Sequence, residues 1–148
     1  NDIVSGSNDG AQAKLAGILA EMKADGQGRV FVIVGFGINV NTPAEELVPG
    51  AVSLYGMTGQ RWDRARLLCR ILQSMEQAYL AFLNGGARAL VQRSRELSAT
   101  LGKRVTVSMS RGQVSGEAVD LDADGGLLVR RESGIIEKII SGDVMSCR

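Results

Sequence analysis

The sequence predicts an α+β protein: an antiparallel or mixed sheet with helices, followed by a small β barrel. Changes in hydrophobic period are the reason. Apolar residues follow strand spacing over residues 1–40, recur at three- and four-residue steps over residues 61–83, and alternate again after Gly102. The change near residues 98–102 predicts two domains, residues 1–98 and residues 99–148.

Three strands are predicted in the first part. Residues 1–5 and 14–22 flank a connector rich in Gly, Ser, Asn and Asp, so we expect them to pair as a hairpin. Residues 29–40 form the third strand, and their apolar run at residues 30–34 is typical of a buried strand. Two prolines then bound a loop at residues 43–49, and residues 51–54 lead into a turn that contains glycine.

Two helices follow this loop. Residues 61–83 predict an amphipathic helix of about six turns, with Leu68, Ile71 and Met75 on its apolar side. The Asn-Gly-Gly segment at residues 84–86 ends it, and residues 87–97 predict a shorter helix. Trp62, at the start of the long helix, is predicted to be a core residue.

Short strands separated by turns make up the rest of the chain. Val105, Val107 and Met109 alternate with polar residues, and further strands are predicted at residues 127–129 and 135–140. Several short strands at close, regular spacing predict a small barrel. The Asp-rich segment at residues 120–125 lacks the spacing and final Glu of a calcium loop, which favours a hairpin turn.

Composition excludes several classes of function. A net charge of +1, from 17 basic and 16 acidic residues, argues against a nucleic-acid or membrane-surface binder. The absence of histidine removes the usual zinc sites and His-activated nucleophiles. Cys69 and Cys147 lie far apart, so we expect free thiols and a cytoplasmic protein. The chain opens without a secretory leader or a start residue, and we expect it to be part of a longer protein.

One group of residues combines charge, bare backbone and amides on otherwise apolar strands. Strand alternation places Lys14 on one face with Ala16, Ile18 and Ala20. A lone charge on such a strand is costly unless solvent or an anion meets it.

The third strand carries the other half of this group. Its alternation puts Gly35 and Gly37 on one face with Asn39 and Asn41, and Phe36, Ile38 and Val40 on the opposite face toward the core. The pattern suits a flat ligand with an anionic end and a heterocycle. The alternative is structural: Lys14 reaches solvent at a strand end, the glycines mark a bulge, and Asn39 caps a turn. No third glycine follows, so the segment is not a dinucleotide fingerprint.

Three segments resemble the second half of the catalytic domain of biotin protein ligases, which is class II synthetase-like. They are Asn1-Asp2, Lys14-Leu-Ala-Gly-Ile-Leu-Ala-Glu21 and Val34-Gly-Phe-Gly-Ile-Asn-Val-Asn41. Residues 102–105, 126–129 and 141–144 resemble that family's SH3-like C-terminal barrel. The resemblance covers the whole chain in order.

The resemblance implies ATP-dependent activation of biotin to biotinyl-5′-AMP, with Mg²⁺ accompanying ATP, and transfer of biotin to a lysine of a biotin carboxyl carrier protein or domain. It implies that Lys14 contacts the biotin carboxylate and the α-phosphate as the catalytic residue, and that Asn1 and Asn39 lie at the adenine. Gly17, Gly35 and Gly37 would line the pocket through their backbone. It implies no metal ligand in this chain and leaves a homodimer open.

The family's phosphate-binding loop lies upstream of the matched segments. We therefore expect this chain to be inactive alone. The alternative is a non-catalytic protein-interaction module with an α+β part and an SH3-like barrel.

Overall fold

The fold was obtained as a computed structural model that describes residues 1–6, 12–110 and 112–147, the last three of these by backbone only. Helices and antiparallel sheets confirm the α+β class. The chain divides by its internal contacts into two compact units, Asn1–Ile71 and Leu72–Arg148. The domain boundary predicted at residue 98 stays a prediction. Residues 7–11, which make up most of the predicted connector that begins at Gly6, and the Cys147 side chain lie outside the described part.

The first unit contains a three-stranded antiparallel sheet. Its strands are β1 (Asp2–Gly6), β2 (Gln12–Ala24) and β3 (Val30–Ile38), with β2 in the centre. The predicted hairpin is therefore confirmed. A turn at residues 25–28 joins β2 to β3, where Asp25 Oδ1 accepts hydrogen bonds from the N–H groups of Gln27 and Arg29.

Helical segments follow β3. A short 3₁₀ turn spans Ala44–Glu46, and helix α1 spans Leu54–Thr58, where the sequence predicted only a turn. The long helix α2 spans Arg64–Gly85 and α3 spans Arg88–Leu97, within a few residues of the prediction. None of the helices within the described ranges is long and apolar enough to cross a membrane.

Ser53 is the N-cap residue of α1, directly before Leu54, and is fully buried. Its hydroxyl donates a hydrogen bond to the carbonyl of Thr42 at 2.7 Å and accepts one from the N–H of Gly56 at 3.0 Å. One side chain thus caps the helix and ties it to the loop that follows β3. Sequence analysis missed this residue, although a serine directly before a helix is a recognised signal.

Apolar side chains of the first unit are widely exposed. Residues 30–34 of β3 are between 45% and 64% exposed, so the prediction of a buried strand is wrong for them. Phe36, Ile38 and Val40 are only half-buried, which also corrects their predicted place in a core. Trp62, predicted to be a core residue, is 39% exposed and donates its indole N–H to Thr58 Oγ1. The reason is geometric: the described residues cover these side chains only in part.

The second sheet has five antiparallel strands in the order β7-β6-β5-β4-β8. No ladder joins its edge strands β7 and β8 within the described ranges, so a closed barrel stays a prediction. The strands are β4 (Arg104–Met109), β5 (Gly112–Leu121), β6 (Leu127–Arg130), β7 (Ile136–Ile139) and β8 (Asp143–Cys147).

This sheet has its own core, to which alternate residues of its strands contribute. Helix α3 is joined to β5 through Arg95, whose guanidinium bonds the Asp120 carboxylate at 2.7 Å and also the carbonyl of Leu121. The core consists of Val105, Val107, Val114, Ala118, Val129 and Ile139.

Replacing Ser53 by alanine should destabilise the protein, because the substitution leaves the Thr42 carbonyl and the Gly56 N–H without their partner. We expect the free energy of unfolding to fall by about 1–2 kcal/mol in urea denaturation. Ser74→Ala, on an exposed position of α2, is the matched control and should stay within about 0.5 kcal/mol of the original protein. Equal effects of the two substitutions would contradict the capping role.

The Arg95–Asp120 pair should make stability depend on pH. The hydrogen bond from Arg95, and then that from the Leu121 N–H, lower the pKa of Asp120 below its usual value. A lowered folded-state pKa gives a contribution that is present above about pH 4 and is lost as the pH falls through that folded-state value. The difference in melting temperature between the original protein and Asp120→Asn should therefore shrink below about pH 4. A constant difference from pH 7 to pH 3 would contradict this.

Candidate functional site

Lys14 lies on the opposite face of β2 from the one predicted. Ile3 pairs with Ala16 and Val4 pairs with Lys14, so Leu15 is an extra residue between these two pairs. Such a bulge shifts the alternation of side chains by one. Ala16 is buried, whereas the Lys14 side chain lies over Gly17. The prediction that Lys14 shares a face with Ala16, Ile18 and Ala20 is therefore wrong.

A distant segment holds the main chain of Lys14 at this bulge. The Lys14 N–H donates to the carbonyl of Gly50 at 2.8 Å, and the Val52 N–H donates to the carbonyl of Lys14 at 2.9 Å. Lys14 and Ala51 thus form an isolated parallel bridge. Gly50 has a φ of 81°, a left-handed conformation that glycine adopts without strain. Both polar groups of the Lys14 backbone are therefore used.

The ammonium of Lys14 lies 2.7 Å from Asp2 Oδ1. A Cβ added to Gly17 would lie 3.4 Å from both Lys14 Cε and Nζ, so the lysine side chain extends over this glycine. The side chains of Lys14 and Asp2 are 51% and 48% exposed, which leaves the cation accessible from solvent. Asp2 was named in the sequence only as part of a motif, and its pairing with Lys14 was missed.

The glycines form one open face beside this cation. Gly17 pairs directly with Gly37, and Leu19 pairs with Gly35. Directly opposite residues of neighbouring strands share a face, so Gly17, Gly35 and Gly37 lie on the same side of the sheet. A Cβ added to Gly37 would meet nothing within 4 Å, and one added to Gly35 would meet only the Leu19 carbonyl oxygen at 4.0 Å. The structure thus brings Lys14 and the three predicted glycines together on one face of the sheet, on which the exposed Leu19 side chain lies opposite Gly35.

Asn39 and Asn1 are fixed through their main chains. The Asn39 N–H donates to the carbonyl of Leu15, and its carbonyl accepts from the N–H of Leu54. The Asn1 carbonyl accepts from the N–H of Ile18 at 2.7 Å. Asn39 directly follows the last residue of β3, and the place of its side chain on the glycine face stays a prediction. Neither amide side chain makes a hydrogen bond to another described residue, and their role at a ligand stays a prediction.

Asn41 has a structural role instead. Its amide donates from Nδ2 to the carbonyl of Trp62 at 2.8 Å and accepts at Oδ1 from the Trp62 N–H at 2.9 Å. The Asn41 side chain therefore makes one donated and one accepted hydrogen bond with the Trp62 backbone, as a residue of a neighbouring strand would. It does not present its amide to the glycine face, in contrast to the prediction.

The described residues contain no group of three or more His, Cys, Asp or Glu side chains that could hold a metal ion. The carboxylate nearest the site, that of Asp2, is paired with Lys14. The described residues therefore do not form a protein-built site for Mg²⁺.

Comparisons with known proteins agree with the resemblance seen in the sequence. Residues 100–145 match the family described as the biotin protein ligase C terminal domain. The chain is 37% identical over 136 residues to a biotin--[acetyl-CoA-carboxylase] ligase of Mycobacterium tuberculosis, covering 91% of this chain and 48% of that protein. It is 32% identical to the bifunctional ligase/repressor BirA of Bacillus subtilis, covering 88% of this chain and 41% of that protein. The chain thus spans about half the length of the curated relatives that it matches.

Solved structures agree in fold. Biotin protein ligase from Aquifex aeolicus superimposes with a TM-score of 0.74 at 30% identity, over 92% of this chain and 59% of that one. The same ligase in complex with biotin and ATP also gives a TM-score of 0.74 at 30% identity, over 92% of this chain and 56% of that one. Because sequence and fold agree along nearly the whole chain, the chain is similar to the C-terminal half of biotin protein ligases, and its residues 100–145 match their C-terminal domain.

Proposed function

We propose that this chain carries part of the active site of a biotin protein ligase, and that its glycine face receives biotinyl-5′-AMP. The observation that supports this most directly is the half-exposed Lys14 ammonium over Gly17, at the edge of an open row of bare backbone. The related Aquifex aeolicus ligase is known in complex with biotin and ATP, which are the substrates of the proposed reaction.

The proposed reaction has two steps. A biotin carboxylate oxygen attacks the α-phosphorus of ATP, the bond to the β-phosphate oxygen breaks, and pyrophosphate leaves. The amine of a carrier-protein lysine then attacks the acyl carbon of biotinyl-5′-AMP, AMP leaves, and the amine loses a proton. The first step brings two anions together, so a fixed cation lowers its barrier. Lys14 would supply that cation as a point charge, toward the carboxylate and the α-phosphate.

The glycines would contribute to ligand binding because they have no side chains. A planar ligand can approach the backbone closely only where no Cβ intervenes. We propose that Gly17, Gly35 and Gly37 line the ligand in this way, and that Asn1 and Asn39 meet the adenine. An amide side chain both donates and accepts hydrogen bonds, which suits the edge of a base.

Several finer expectations belong to the same proposal. Mg²⁺ would arrive with the phosphates of ATP, since this ion retains waters and uses few protein ligands. The acceptor would be a biotin carboxyl carrier protein or domain, the location would be cytoplasmic, and residues 99–148 would form an SH3-like barrel. We also propose that this chain by itself does not form biotinyl-5′-AMP, which a pyrophosphate-release assay with biotin and ATP tests, and the proposal leaves a homodimer open.

A second candidate is a protein-interaction module. The exposed apolar side chains of β3 favour it, because large exposed apolar patches mark interaction surfaces. Titration with biotinyl-5′-AMP separates the two candidates. Binding that requires Lys14 and Asn39 supports the ligase, and the absence of binding in the full-length protein supports the module.

Lys14→Ala in the full-length protein should lower kcat/KM for pyrophosphate release from ATP and biotin by about 10²- to 10³-fold, because the transferring phosphoryl group loses its counter-charge. The melting temperature should change little, since the side chain is half-exposed. Lys23→Ala is the matched control: Lys23 lies on the same strand, is 56% exposed and pairs with Glu21 at 3.5 Å. Unchanged turnover by Lys14→Ala would remove this residue from the mechanism.

Gly37→Ala should weaken binding of biotinyl-5′-AMP without affecting folding. The added methyl group meets no protein atom within 4 Å and therefore projects into the space assigned to the ligand. We expect affinity in isothermal titration calorimetry to fall by about 10- to 100-fold, the cost of overfilling a contact. Gly26→Ala, at a turn position that is equally open, is the control and should bind as the original protein does. Full affinity in Gly37→Ala would show that the ligand lies elsewhere.

A further inference from the structure

We propose that Asp2 is a positioning residue for Lys14: its carboxylate holds the ammonium over Gly17 before an anionic ligand arrives. The inference rests on the proposed function, because it assigns Asp2 a task at the same site. It follows from the 2.7 Å contact between Asp2 Oδ1 and Lys14 Nζ, and from the way the fold fixes both residues.

Both partners are held by their main chains. Asp2 pairs with Gly17 across the β1–β2 ladder, directly after Asn1, whose carbonyl accepts a hydrogen bond from Ile18. Lys14 is held at the bulge by its two hydrogen bonds to Gly50 and Val52. The backbone therefore directs both side chains to the space above Gly17, and little freedom remains to be lost when a ligand binds.

A second lysine on β2 shows what an ordinary ion pair looks like on this strand. Lys23 lies 3.5 Å from Glu21, with side chains 56% and 52% exposed. The Lys14–Asp2 pair has similar exposure, 51% and 48%, but a contact of 2.7 Å. The shorter contact joins two strands, whereas the longer one joins neighbours on a single strand. Arg130 and Glu117 form an equally short and equally exposed pair between β5 and β6, so the place of the Lys14–Asp2 pair beside the glycine face, and not its length, is what distinguishes it.

The Lys14–Asp2 ion pair contributes little to the free energy of folding. A half-exposed ion pair contributes at most about 1 kcal/mol to folding, because solvent screens it. An ammonium also has three N–H donors, so binding one carboxylate oxygen leaves capacity for ligand oxygens. The side that remains open is the glycine face, where a Cβ on Gly37 would meet nothing within 4 Å.

The carboxylate should affect ligand binding and the rate of reaction in opposite directions. Its negative charge repels an incoming phosphate and so weakens binding of ATP in the ground state. The same charge keeps the ammonium in the position where it meets the phosphoryl group as bonds change. A residue that only stabilised the fold would instead affect binding, rate and melting temperature together.

The test compares Asp2→Asn and Asp2→Glu with the original full-length protein in pyrophosphate release from ATP and biotin. For Asp2→Asn we expect kcat to fall by about 10- to 100-fold, as when a catalytic group is misplaced by about 1 Å, with the KM for ATP unchanged or lower. Asp2→Glu keeps the charge and should recover part of kcat. Glu21→Gln removes the carboxylate of the other pair on β2 and should leave both parameters unchanged.

Three outcomes would overturn the inference. If Asp2→Asn turns over as fast as the original protein, the Lys14–Asp2 ion pair has no role in the reaction. A parallel loss of kcat, ATP affinity and melting temperature in Asp2→Asn, without recovery in Asp2→Glu, would make its role structural. A loss of kcat in Glu21→Gln equal to that in Asp2→Asn would show a general effect of charge.

Failure of the proposed function gives a different result. In that case the full-length protein releases no pyrophosphate, or Lys14→Ala is as active as the original. An inactive Lys14→Ala beside a fully active Asp2→Asn rejects only the role of Asp2.

Discussion

The position of Lys14 depends on one extra residue in β2. Without the bulge at Leu15, strand alternation would direct the lysine to the face of the buried Ala16, where an unpaired ammonium is costly. The bulge is stabilised by residues 50–52, whose hydrogen bonds use both polar groups of the Lys14 backbone. The site therefore depends on a contact between the central strand and a loop that follows β3 in the chain.

The candidate site combines glycines with the cation of Lys14, and this cation is not buried. Gly17 of β2 lies opposite Gly37 of β3, and the Lys14 ammonium lies beside this pair, half in solvent and neutralised by Asp2. A site of this kind costs little in desolvation before the ligand binds, yet it presents a cation in a fixed place. This combination suits a reaction in which two anions must approach each other.

The two units differ in how their apolar residues are used. In the second unit, alternate strand residues such as Val105, Val107 and Val114 are almost fully buried in a core of their own. In the first unit, β3 exposes large apolar side chains, and α2, which crosses the boundary between the two units, has no buried residue. The hydrophobic period therefore predicts β3, α2 and the strands of the second sheet equally well, but it predicts burial only for the strands of the second sheet, since burial depends on what lies against an element.

Local order was readable from the sequence alone. The strands β1–β4, β6 and β7, the two longer helices, the alternating glycines of β3 and the anomalous charge of Lys14 follow from periods of two and 3.6 residues, which backbone geometry imposes on any chain. Strands β5 and β8 were not predicted. Tertiary structure alone decided the rest: the bulge that turns Lys14 toward Gly17, the pairing of Asp2 with it, the bonding of Asn41 to the Trp62 backbone, and the burial of Ser53. Each of these joins residues distant in sequence, and register between such residues is set by the partner segment, which a local pattern does not contain.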